Sequence, residues 1–210
     1  MTNAPTVFVV DDDPSVLTGL TRLLQSAGLA VAAFASAQAF LESDNCSKPG
    51  CLVLDVQMPG LSGIELQQIL VERKSALPII FLSGHSELPV GVRAMKLGAF
   101  DFLTKPVDAE ALLEAVRLSI EKNRVVRDAQ AAMADIEQRL ATLTPREREV
   151  LPLVVAGQMN KQVAAQLGTV EKTVKVHRAR VMAKLQVRTF ADLVHLADRA
   201  GIGGLDPPSH

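Results

Sequence analysis

The sequence predicts a doubly wound α/β domain followed by an all-α domain, and three observations carry that prediction. Short apolar runs alternate with helix-length segments through the first half. The carboxylates, hydroxyl and lysine of that half stand at or just after the ends of those runs. From Asp108 onward the periodicity is helical. A chain of 210 residues, 48% of them hydrophobic, can build two modest cores.

Thr6–Val10 is the first strand, with a weaker one at Val31–Phe34, and Cys51–Leu54, Pro78–Leu82 and Phe100–Leu103 complete a set of five. Their near-continuous apolarity implies burial on both faces, hence a parallel sheet sandwiched by helices. From Asp108 a helical text runs past Asn123 to Leu143 without Gly or Pro, as one long helix or two abutting ones. In its second half Val126, Ala129, Met133, Ile136, Leu140 and Leu143 form a heptad seam. That seam fits packing against the chain's own domains as well as pairing with a second chain.

Thr144-Pro145-Arg146-Glu147 opens the second domain: Thr caps, Pro occupies the first helical position and Glu completes a capping box. Gly157 and Gly168 as stops, with Asn160 and Thr189 as starts, give helices over about 145–156, 161–167, 171–185 and 190–200. The expected organisation is 1–122, a helical linker 123–142, a helical domain 143–200 and a frayed tail 201–210.

No run approaches the roughly 20 apolar residues of a membrane helix, and MTNAPTVFVV lacks the basic start of a secretory signal, so a cytoplasmic location is expected. Cys46 and Cys51 are read as thiols and the four histidines lack metal-ligand spacing, which argues against a disulfide framework and zinc chemistry. The net charge of -1 hides an asymmetry: residues 1–124 carry 10 Lys+Arg against 14 Asp+Glu, residues 143–200 carry 10 against 5. The basic end suits a polyanion.

In doubly wound sheets ligands bind beyond the carboxyl ends of the strands. Asp11, Asp12 and Asp13 follow the first strand, Asp55 ends the third, Ser83 the fourth, and Lys105 follows the fifth. Gathered carboxylates repel, and a hard cation such as Mg²⁺ holds them together. A carboxylate so placed can attack a phosphoryl donor, with hydroxyl and ammonium to meet the transferred group. Asp13, beside Pro14, is read instead as a helix cap.

FVVDDDPSV, LVLDVQMPGLSGIEL, IIFLSGH and AMKLGAFDFLTKPV resemble the receiver of two-component response regulators of the FixJ/NarL type, from residue 5 to about 122. The resemblance implies a strand order 2-1-3-4-5, with Asp55 as phosphoacceptor for a sensor histidine kinase. It implies Mg²⁺ held by Asp11, Asp12, Asp55 and the Gln57 backbone carbonyl, Lys105 paired with the phosphoryl group, and Ser83 and Phe102 as a switch pair. Phe102 stands where Tyr is commoner, and Gln57 and His85 border the site where they can tune phosphoryl lifetime.

On the third helix of the second domain, 100° steps put Val174, His177, Val181 and Leu185 on one stripe and Lys172, Lys175, Val176, Ala179, Arg180 and Ala183 opposite. Small apolar residues flanked by cations suit a major groove. From Leu143 to Val194 the text resembles the four-helix LuxR-type helix-turn-helix domain. That resemblance implies base contacts from Lys175 and Val176 and phosphate contacts from Lys172, Thr173, His177, Arg178 and Lys161, with Ala179 where some relatives carry a longer polar reader. It implies promoter DNA, a homodimer on phosphorylation and RNA polymerase as partners, and no turnover enzyme. Pro152 inside the first helix predicts a kink, and Val170, where relatives place Ser or Thr, predicts an uncapped recognition helix whose start can shift. Two other classes fit less of the chain. A metal-dependent phosphohydrolase leaves the second domain idle, and a phosphorylated adaptor predicts a protein partner instead of DNA.

Overall fold

A computed structural model of the protein describes residues 4–43, 45–84 and 88–202, with residues 88–90 described by their backbone alone. The expected His85 contribution and most of the expected tail, 203–210, lie outside the described residues. The chain divides between Asp128 and Ala129 into two compact units.

The first unit holds five strands, β1 (Thr6–Val10), β2 (Ala30–Phe34), β3 (Gly50–Asp55), β4 (Ile79–Ser83) and β5 (Asp101–Thr104), all parallel in the order 2-1-3-4-5. Alternation within the strands feeds two cores. Phe8, Val10, Leu52, Leu54, Ile79 and Phe81 pack with residues of α2 (Ala37–Glu42), α3 (Gly63–Glu72) and α4 (Leu88–Lys96). Val7, Val9, Cys51, Val53, Ile80 and Leu82 face the other way, onto α1 (Pro14–Ser26) and the start of α5 (Ala109–Ala141). Two-sided burial is the physical reason these strands carry no polar alternation. Burial pushes the Cys51 thiol up to about 11, with a Ser119 hydrogen bond opposing, so it behaves as a small core residue.

Two local features hold the lower edge of the sheet. Gly50 has φ 148°, and a Cβ there would lie 1.8 Å from the Thr6 carbonyl oxygen, so β3 meets β1 only through glycine. Its N–H donates to Oδ1 of the buried Asn123 on α5, whose Nδ2 donates to the Ala76 carbonyl.

Of the two readings for the segment after Asp108, the single helix is found: α5 runs 33 residues without a break. In the second unit Ile136 and Leu143 are buried among α6 (Pro145–Val155), α7 (Asn160–Gln166), α8 (Glu171–Lys184) and α9 (Phe190–Arg199), with Met133 and Leu140 packed alongside. The lower part of the expected seam thus serves its own unit, while Ala129 is exposed and Val126 half-buried.

Thr144 and Thr189 cap α6 and α9 with reciprocal bonds to Glu147 and Asp192. Gly157 and Gly168 take positive φ at the two predicted stops. Asn160 is not the cap expected of it. Met159 holds that position, its N–H bonded to Gln162 Oε1, and Asn160 is the first helical residue. Pro152 sits inside α6 without ending it; lying close to the C-terminus, it removes a single donor from the ladder. Val170 gives α8 no side-chain cap, yet α8 starts at Glu171, so the uncapped start did not move. Lys184 Nζ binds the buried Glu147 carboxylate at 2.6 Å and the Thr142 carbonyl at 3.0 Å, tying α8 to the start of α6.

Candidate functional site

At the carboxyl ends of β1, β3 and β5 the fold gathers the acidic residues that the sequence places after its apolar runs. Asp11 follows β1 and is fully buried, Asp55 closes β3, and Asp12 is exposed. Carboxylate oxygens of these three lie within 4.8 Å of one another. Lys105, just past β5, reaches Asp11 Oδ2 at 2.6 Å and Asp55 Oδ1 at 3.2 Å. Its backbone N–H donates to the Ser83 carbonyl, which fixes where the side chain begins. Asp13 caps α1, accepting from the Ser15 N–H, and its own N–H donates to Asp11 Oδ1. It stands outside the acidic group, as its position beside Pro14 suggests.

Burial pushes the Asp55 carboxyl above its ordinary range; Lys105 and the Gln57 backbone N–H pull it down, and the Asp11 charge pushes it further up. Burial also opposes the Lys105 charge, but the Asp11 and Asp55 carboxylates outweigh that cost and hold the ammonium above its usual value. Three carboxylates against one ammonium leave an excess of negative charge on an all-oxygen donor set. That donor chemistry fits a hard divalent cation such as Mg²⁺.

Ser83 is buried at the end of β4, with its Oγ donating to the Gly84 carbonyl. Phe102 on β5 is half-buried, its ring 6.4 Å from that of Phe81. A Cβ on Gly91 of α4 would come within 3.1 Å of the Phe102 ring. The Gln57 side chain is exposed beside Asp55.

Sequence reasoning missed two residues that shape this end of the sheet. Gly63, the first residue of α3, lies so close to β3 that a Cβ would sit 2.1 Å from the Asp55 carbonyl oxygen. A glycine directly after the Ser62 cap, where any residue starts a helix, is the signal that could have found it. Gln67 of α3 is buried and donates from Nε2 to the Ala94 carbonyl in α4, with Oε1 unpartnered among the described residues. Nothing local distinguishes it from a solvated helix glutamine.

In the second unit the two predicted sides of α8 separate. Val174, Val181 and Leu185 are buried, whereas Lys172, Lys175, Val176, Ala179, Arg180 and Ala183 are exposed. Thr173, His177 and Arg178 lie between, with His177 Nδ1 buried and without a hydrogen-bond partner among the described residues. Lys161 is exposed at the start of α7. The exposed side carries cations around Val176 and Ala179, a surface suited to a grooved polyanion.

The family description for the response regulator receiver domain matches residues 7–117, and that for bacterial regulatory proteins of the luxR family matches residues 141–197. Nodulation protein W of Bradyrhizobium diazoefficiens is 48% identical over 196 residues, spanning 93% of this chain and 86% of that protein. The transcriptional regulatory protein FixJ of the same species is 41% identical over 202 residues, 96% of this chain and 98% of its own. Among solved structures, the response regulator StyR superposes with a TM-score of 0.89 at 49% identity, over 94% of this chain and 100% of its own. Full-length FixJ from B. japonicum gives 0.58 at 41% identity over 95% and 98%.

Proposed function

The chain belongs to the two-component response regulators that join a receiver domain to a LuxR-type DNA-binding domain, and from that premise we propose that Asp55 accepts a phosphoryl group from a sensor histidine kinase. Phosphorylation then favours a homodimer that binds promoter DNA and engages RNA polymerase, in the cytoplasm. Members of this family are transcription regulators, and the described helices include none long and apolar enough to cross a membrane. The proposed division is a receiver over 1–122, a helical linker over 123–142 and a DNA-binding domain over 143–200.

The observation that carries the proposal is the placement of Asp55 within reach of Asp11, Asp12 and Lys105 at the carboxyl edge of the sheet. An Asp55 carboxylate oxygen attacks the phosphorus of phosphohistidine; the new P–O bond forms as the P–N bond breaks, and the imidazole leaves with a proton from solvent. Lys105, now paired with Asp11 and Asp55, turns its ammonium toward the transferred group and stabilises the negative charge on its oxygens. Mg²⁺ held by Asp11, Asp12, Asp55 and the Gln57 carbonyl would neutralise the equatorial oxygens. Ser83 and Phe102 then act as the switch pair: the hydroxyl turns toward the phosphoryl oxygen and the ring follows, altering the surface of α4, β5 and α5. By their sequence positions, two residues beyond Asp55 and Ser83, Gln57 and His85 are read as the residues that tune the lifetime of the phosphoryl group. On α8, Lys175 and Val176 read base edges, Ala179 forgoes one contact, and Lys172, Thr173, His177 and Arg178 serve phosphates, joined by Lys161 of α7.

The test is binding of the full chain to its own upstream DNA, before and after acetyl phosphate with Mg²⁺, for wild type and Asp55→Asn. Tightening in wild type alone supports Asp55 as the acceptor that controls DNA affinity. Equal binding under all four conditions removes the switch from this reading.

A further inference from the structure

We propose that Phe190 is a positioning residue for DNA binding: its ring holds the Arg178 guanidinium ready for a backbone phosphate. This rests on the reading of α8 as the DNA-binding helix. The Arg178 guanidinium carbon lies 5.4 Å from the centroid of the Phe190 ring. Phe190 is 40% exposed, far more than an aromatic residue needs to be if its only task is the core.

Several long cations of this unit are committed to the fold. Arg139 donates to the Leu185 carbonyl and pairs with Asp135, Arg146 pairs with Glu149 and donates to the Leu167 carbonyl, and Lys184 binds Glu147. Arg178 differs. Among the described residues the ring is its one recorded partner, with no carboxylate or carbonyl taking its donors.

The ring itself is well anchored. It belongs to the first residue of α9, directly after Thr189, whose N–H donates to Asp192 Oδ2 at 2.9 Å while its Oγ1 accepts from the Asp192 N–H at 3.1 Å. A guanidinium over an aromatic ring is attracted through its face and keeps the N–H groups on its edge for an anion. The side chain is therefore ordered before DNA arrives, and less rotamer entropy is lost on binding. A planar fork of donors without a carboxylate partner matches a phosphate oxygen pair, so the class of ligand is the nucleic-acid backbone rather than a base edge.

The test uses the full chain and a short duplex of arbitrary sequence, whose binding depends on phosphate contacts and needs no operator. Affinity is measured across a salt series, with and without acetyl phosphate, for wild type, Phe190→Leu, Phe190→Tyr, Arg178→Ala and the Phe190→Leu/Arg178→Ala pair. Leucine keeps apolar bulk but loses the ring, and we expect binding weaker by about two- to five-fold with an unchanged salt slope. Tyrosine keeps the ring and binds like wild type. Arg178→Ala binds more weakly and with a log–log salt slope shallower by about one unit. Adding Phe190→Leu to Arg178→Ala changes nothing further, a non-additivity that general loosening of α9 would not produce.

Wild-type affinity in Phe190→Leu, or additive losses in the pair, overturns the positioning role while leaving α8 as the DNA-binding helix. Wild-type slope and affinity in Arg178→Ala overturn it by removing the phosphate contact. A wild-type chain that binds no duplex at low salt overturns the DNA-binding reading itself.

Discussion

Gly63 shows how little room surrounds Asp55. Its N–H donates to the Val56 carbonyl at 3.0 Å, and its missing side chain lets α3 begin against the Asp55 backbone. In Gly63→Ala the new methyl meets a carbonyl oxygen that belongs to a central strand and has nowhere to go, so α3 must retreat. We expect a cost of about 3 kcal/mol in urea denaturation and slower phosphorylation by acetyl phosphate. A midpoint equal to wild type would show that α3 slides away freely. Glu147 gives a residue-scale prediction of different kind. The Lys184 hydrogen bond, aided by the Thr144 hydroxyl and N–H, holds its carboxyl down to about 2, against an ordinary 4.5. A depressed carboxylate contributes stability that is complete above the ordinary value and lost as the pH falls toward the folded one. The second unit should therefore lose stability between about pH 4.5 and 2. Lys184→Met should cost about 2 kcal/mol at pH 7 and flatten that acid limb, as followed by circular dichroism.

At the scale of elements, the join of α5 to the sheet is carried by one buried amide. Asn123 accepts from the Gly50 N–H at 3.1 Å and donates to the Ala76 carbonyl at 2.7 Å, bridging the start of β3 to the segment before β4. Asn123→Ala leaves both backbone groups without their partner, and we expect a loss of about 2–4 kcal/mol together with fast hydrogen exchange at Gly50. Retained protection at Gly50 would show that water or another donor replaces the amide. Asn123 also marks the limit of what the sequence discloses. The strands β1, β3 and β4 were legible because burial on both faces leaves uninterrupted apolar runs, and the carboxylate group because each member stands at a strand end. Asn123 and Gln67 were not, since their partners lie 73 and 27 residues away and a polar residue on a helix reads locally as solvated. The heptad seam was half legible: a 3-4 spacing records an apolar stripe but not its partner, which for Ile136 and Leu143 is the core of their own unit. The cap at α7 was misplaced because Asn160 has good capping chemistry, whereas the Gln162 side chain serves the Met159 N–H from inside the helix.

The whole molecule carries separate cores on either side of residue 128, and its two proposed activities are divided in the same way. The acidic group lies wholly in the first unit and the exposed cationic side of α8 wholly in the second. A ligand of one unit should then stabilise that unit without a direct effect on the other, because stabilisation by binding needs only that the ligand prefer the folded form of its own site. In calorimetry of the full chain we expect two transitions. Mg²⁺ at about a hundred times its dissociation constant should raise the receiver transition by the equivalent of about 2–3 kcal/mol and leave the other in place. Chelation should reverse the shift, and Asp12→Asn should abolish it, since Asp12 is the exposed carboxylate that Lys105 does not neutralise. If both transitions rose together, the ion would be acting on more than the Asp11, Asp12 and Asp55 group. If Asp12→Asn kept the full shift, that group would not be where the ion binds.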